Sequence, residues 1–138
     1  MTFNVLLWVV QGVLALLFLF AGGMKLVLPL EAMVTPIPLP GLFIRFIGVA
    51  EVLGAVGLIL PSLLRIRPRL TPQAAGGLVI IMSGATVITA MGLPVLQALL
   101  PLVVGSLSSL VAYGRWRVAP IPGAARPRHD ARAVPATV

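Results

Sequence analysis

The segment FIRFIGVAEVLGAVGLIL, residues 43–60, decides how this chain is read. It is apolar enough to sit in lipid, yet it carries Arg45 near one end and Glu51 near its middle. A charged side chain at the centre of a bilayer costs about 2.5 to 3.5 kcal/mol on insertion scales, so Glu51 needs protein around it. Small residues mark the helix faces that meet in lipid, and spacings of three and four put Gly48, Glu51, Gly54 and Ala55 on one side of a helix. The carboxyl therefore faces protein, and a second element must supply its partner.

The rest of the chain agrees with a lipid setting. Of 138 residues, 59% are hydrophobic and only 9% are charged, a balance that excludes an ordinary soluble globule. Four segments, at about 5–24, 41–60, 72–91 and 93–113, are long enough at 1.5 Å per residue to cross a hydrocarbon core of about 30 Å. The first lacks a basic leader and exceeds the apolar length of a signal peptide, so it reads as a retained span. Pro61 is expected to end the second span, Thr71 and Pro72 to open the third, Gly92 to end it, and Pro94 to sit early in the fourth. The predicted fold class is all-α, an integral membrane four-helix bundle over residues 1–114. A basic Pro/Ala-rich tail, 115–138, is expected to be disordered.

Between the first two spans, residues 25–40 carry Pro36, Pro38 and Pro40, which forbid regular helix. This loop reads as interfacial, with one helical turn near Glu31 to Val34. Arg65, Arg67 and Arg69 lie between the second and third spans, and Arg115, Arg117, Arg126, Arg128 and Arg132 follow the fourth. With four spans both basic regions fall on one side together with the N-terminus, which predicts cytoplasmic termini. Trp8, Tyr113 and Trp116 fall on the same side, where an aromatic belt belongs.

Several chemistries are closed to this chain alone. It has no cysteine and a single histidine, His129, in the tail, so haem, iron–sulfur and metal sites are not expected from it. No catalytic residue is assigned. The net charge of +7 is explained by topology, and no nucleic-acid partner is expected. The candidate ligand or proton site gathers Lys25, Glu51, Arg45, Ser83 and Gln97. Arg45 lies about 9 Å along the axis and about 120° around it from Glu51, so it reads as an outer-rim residue that snorkels to the interface. Lys25, at the end of the first span, is the better partner for Glu51. Ser83 in the third span and Gln97 in the fourth are candidates to complete the polar centre. Gln97, Pro101, Gly105, Ser109 and Tyr113 recur every four residues and predict a protein-facing stripe on the fourth helix. Gln11 reads as an interhelical hydrogen-bonding residue, and Gly22 and Gly23 as sites of close approach.

Two stretches, FLFAGGMKL at 18–26 and IGVAEVLGAVGLILP at 47–61, resemble the DoxX-like family of small four-span bacterial membrane proteins. The residues that carry the resemblance are Gly23, Lys25, Gly48, Glu51, Gly54, Gly57 and Pro61. It covers the first two spans by motif and the last two by hydrophobic layout. The resemblance implies an association with quinone-linked membrane redox systems, with quinone as the cofactor it points to. Members of the wider group depend on cysteines for redox maturation, and this chain has none. The function expected is thus a membrane subunit or accessory of a quinone-linked redox system. A structural subunit packing against larger partners and a small proton-coupled transporter are the alternatives. Expected partners are membrane lipid and other membrane proteins or a second copy of the chain.

Overall fold

A computed structural model of the chain describes residues 2–33, 35 and 37–122. It contains four long helices, α1 (Thr2–Val27), α2 (Gly41–Leu64), α3 (Leu70–Gly92) and α4 (Val95–Tyr113), and among the described residues there is no strand. Each is long and apolar enough to cross a membrane, α4 being prolonged by a π-helical turn over Gly114–Val118. The chain is therefore a multi-pass membrane protein, an all-α four-helix bundle.

Helical periodicity places the core. Along α1 the buried residues are Leu7, Gln11, Leu14, Phe18 and Gly22, spaced by three or four, and they form one stripe. Leu7, Leu14 and Phe18 of that stripe meet Ala55 and Leu58 of α2, Ala75, Leu78 and Met82 of α3, and Val104 and Val111 of α4 in a single cluster. Outside that cluster the faces are apolar too: Val27, Leu42, Phe20, Ile80 and Leu96 stand exposed on the four helices. In water such surface would drive aggregation, whereas in hydrocarbon it is solvated. Consecutive helices are the main neighbours, as short antiparallel connections dictate, and α1 and α4 touch over a smaller area.

Helix ends differ from the sequence reading in ways that have physical causes. Pro61 does not end α2. It lies inside the helix, which runs one more turn to Leu64 and stops where Arg65 turns left-handed at φ 54°. That extra turn buries Ser62, whose hydroxyl meets the Thr71 hydroxyl at 2.6 Å. Thr71 is therefore a bridge between α2 and α3 rather than the cap of α3. Pro94 is the residue before α4 and not part of it. Between α1 and α2 the single turn is of 3-10 type and spans Leu30–Ala32. The fourth helix passes the boundary expected near 113, so residues 115–118 of the assigned tail are helical. Residues 123–138, with His129 and Asp130, lie outside the described part.

Glycine sets the distance between α1 and α2. A Cβ on Gly22 would stand 2.7 Å from the Gly48 carbonyl oxygen, and one on Gly48 would stand 2.9 Å from Lys25 Cβ. Gly23, by contrast, has nothing within 4 Å of its Cβ position. The close approach belongs to Gly22 alone of the pair. We expect Gly22→Ala to destabilise the bundle by about 1–3 kcal/mol through overpacking against backbone. Gly23→Ala should be neutral or gain up to about 1 kcal/mol from helix propensity. Thermal unfolding in mild detergent reads both, and equal effects would contradict the assigned seam.

Candidate functional site

The glycine seam brings the first two helices together where their charges lie. Lys25 is in the last turn of α1 and Glu51 is midway along α2. Lys25 Nζ donates to Glu51 Oε2 at 2.7 Å, with the lysine side chain 31% exposed and the glutamate 3%. Among the described residues, Glu51 Oε1 accepts no hydrogen bond from protein. An ammonium that is still accessible thus holds one oxygen of a carboxylate on the buried face of α2, the face that also carries Gly48, Gly54 and Ala55.

Arg45 has a different job from the snorkelling expected of it. Its Nη1 donates to the Lys25 carbonyl at 2.6 Å and its Nη2 to the Leu28 carbonyl at 2.9 Å. The last carbonyls of a helix have no partner within the helix, and a cation there also suits the negative end of the helix dipole. Arg45 therefore reaches from α2 to cap α1 and fixes the turn that carries Lys25. It joins the site through the backbone of Lys25 and not through the carboxylate.

Ser83 and Gln97 are not brought to the pair. Ser83 is exposed and its hydroxyl donates to the Val79 carbonyl of its own helix at 2.8 Å. Gln97 is exposed near the start of α4. The stripe expected to face protein on α4 does so at Gly105, whose Cβ position is 3.1 Å from Met82 Cβ, whereas the buried residues of the helix are Ala98, Val104, Ser108 and Val111. Pro101, Gly105 and Ser109 line a groove of about 310 Å³ beside Met82, Ser83 and Thr86 of α3. The hydroxyls of Thr86, Ser106 and Ser109 each donate to a carbonyl four residues back, as Ser83 does, so they satisfy themselves and need no neighbour.

The model of the DoxX-like family matches residues 9–111 of this chain. The chain belongs to the DoxX-like family. No curated protein and no solved structure matches it. The matched stretch contains the whole α1–α2 seam, with Lys25, Arg45 and Glu51.

A second polar group in this DoxX-like chain lies at the opposite end of the bundle and was not legible as a site in the sequence. Arg115, placed by its sequence position in the tail, is 3% exposed. Its Nε donates to Gln11 Oε1 at 2.5 Å and its Nη1 to Asn4 Oδ1 at 2.5 Å and to the Ala119 carbonyl at 3.2 Å. Gln11 in turn donates through Nε2 to the Leu58 carbonyl at 2.6 Å, so α1, α2 and the end of α4 are tied together. The guanidinium carbon stands 5.2 Å from the centre of the Trp8 ring. The π-helical turn belongs to this arrangement, since the Ala119 N–H closes on the Gly114 carbonyl at 2.7 Å while Arg115 is drawn inward. The available signal was Gln11: a buried amide oxygen in a span needs a donor, and Arg115 lies two residues past the expected end of the fourth.

Because Arg45 serves two carbonyls at once, its planar fork should matter as well as its charge. Replacing it by lysine keeps the charge and reaches one carbonyl. We expect Arg45→Lys to lower stability by about 1–2 kcal/mol and Arg45→Met by more. A fully stable Arg45→Lys in thermal unfolding would return this residue to simple snorkelling.

Proposed function

We propose that this DoxX-like protein is a membrane subunit or accessory of a quinone-linked redox system, with Lys25 and Glu51 as its ligand and proton site. The observation that carries the reading is the half-open ion pair at the α1–α2 seam, in which a buried carboxylate keeps one oxygen for a ligand. A quinone head group offers carbonyl acceptors when oxidised and hydroxyl donors when reduced. The residues fit both forms: the Lys25 ammonium has N–H donors beyond the one given to Glu51, and Glu51 Oε1 can accept from a hydroxyl. Exposure of Lys25 on the bundle surface suits a ligand that arrives through lipid. When bound, a quinone would supply the electron transfer, with electrons passing to or from a partner subunit. This chain's part is to orient the head group and to hold a proton at Glu51. The shared end of Arg65, Arg67 and Arg69 with Arg115 and Arg117 supports cytoplasmic termini in a bacterial inner membrane, which puts the Lys25–Glu51 site in the outer half.

A structural subunit is the second reading, favoured by α3. Gly76, Gly77 and Gly84 there have nothing within 4 Å of their Cβ positions, which leaves small-residue surface for another membrane helix.

Purification in mild detergent followed by lipid extraction separates the two. We expect a quinone to copurify with the wild type and to be lost at least tenfold in Glu51→Gln while the bundle still folds. Protein that is free of quinone, with Glu51→Gln changing only the melting temperature, would favour the structural subunit.

A further inference from the structure

The Arg115 network leaves a charge unanswered. A guanidinium has five N–H donors, and in Arg115 the three on Nε and Nη1 are directed at neutral oxygens of Gln11, Asn4 and Ala119. Nη2 is the one buried side-chain polar atom among the described residues that has no hydrogen-bond partner. Nor does any described carboxylate offset the charge, since Glu51 is paired with Lys25 and Glu31 stands in the 3-10 turn after α1. Burying an uncompensated ion costs several kcal/mol, so an anion nearby would remove a large penalty.

A cavity of about 210 Å³ lies beside the residues that hold Arg115, although Arg115 itself does not line it. Its walls include Asn4, Trp8, Ser62 and Arg65, closed on one side by Ala119 to Pro122. Three of these residues touch Arg115 directly, Asn4 and Ala119 by hydrogen bonds and Trp8 through its ring face. Arg115 occupies the Asn4 amide oxygen, which leaves the amide nitrogen two donors for a ligand oxygen. At about 30 Å³ for each water, the volume equals about seven waters, enough for a tetrahedral phosphate group and its contacts. The cavity is built from the ends of α1 and α2 and the segment after α4, at the end of the bundle that also carries Arg67 and Arg69.

We propose that this cavity binds a phosphate group, with Arg65 at its rim and the buried Arg115 behind Asn4 and Trp8 supplying the positive charge. Arginine forks match phosphate oxygens, and a charge surrounded by protein acts more strongly than one in water. The phosphate is either that of a lipid head group or a free one. This site is separate from the Lys25–Glu51 pair and stands whether or not that pair takes a quinone.

The test is saturable stabilisation of the full-length protein in dodecyl maltoside at constant ionic strength. Phosphatidylglycerol, uncharged diacylglycerol and inorganic phosphate are titrated separately while the melting temperature is followed. We expect a saturable rise with phosphatidylglycerol or with inorganic phosphate and none with diacylglycerol. The first result assigns a lipid head group and the second a soluble phosphate. Arg65→Gln should weaken the apparent affinity at least tenfold. Arg67→Gln should leave it unchanged, because Arg67 is an exposed residue of the same loop that does not line the cavity. Arg115→Gln also removes bonds to Gln11 and Asn4, so Arg65→Gln is the decisive variant. Absence of saturation with both phosphate probes, or equal weakening by Arg67→Gln and Arg65→Gln, would overturn the proposal.

Discussion

The contact between Gly22 of α1 and Gly48 of α2 is the constraint on which the rest of the α1–α2 half depends. A side chain at Gly22 would meet the backbone oxygen of Gly48 at 2.7 Å, so the two helices can be this close only without one. Lys25 and Glu51 are each one helical turn from that contact, and their 2.7 Å ion pair is a consequence of the spacing. In lipid there is little hydrophobic drive to bring helices together, and close packing with interhelical polar contacts replaces it. Arg45 completes the arrangement by capping the carbonyls of Lys25 and Leu28, which holds the lysine's own turn in place.

The bundle is thus polar at two levels and apolar between them. On one side of the core stands the Lys25–Glu51 pair with Arg45, and on the other stands Arg115 with Asn4, Gln11 and Trp8. Phe18, Leu14 and Leu7 of α1, together with Leu58, Leu78 and Val111, fill the interval. The two groups differ in charge balance. The pair is internally neutralised, whereas Arg115 has only neutral partners among the described residues. That difference distinguishes the ligand and proton site proposed at the pair from the phosphate site proposed beside Arg115.

Much of this was legible in the residues. Four spans, the buried face of α2 and the choice of Lys25 over Arg45 as the partner of Glu51 all followed from hydrophobic length, helical spacing and the cost of a charge in lipid. What the sequence hid was three-dimensional. Spacing showed that Gly22 and Gly23 were both small, but only the helix crossing distinguishes the one in contact from the one in open space. Arg45 was misread because its partners are backbone carbonyls, which have no signature in sequence. Arg115 was misread because it follows a glycine in a proline-rich basic run, and a π-helical turn that points it inward has no compositional mark. Ser83 and the α4 stripe looked like polar glue, yet their hydroxyls are satisfied within their own helices, so polarity alone did not mark an interface.

The seam can be observed directly because Lys25 is the chain's single lysine and Glu31 and Glu51 are its only glutamates. Protein labelled with ¹⁵N at lysine Nζ and ¹³C at glutamate Cδ, reconstituted in lipid bilayers, gives one possible short-range pair to each glutamate by solid-state dipolar recoupling. A strong Nζ–Cδ contact that survives Gly23→Ala, disappears with Glu51→Gln and weakens with Gly22→Ala is the expected result. A folded wild-type protein without that contact, or one in which Gly22→Ala leaves it intact, would contradict the dependence of the ion pair on the glycine seam.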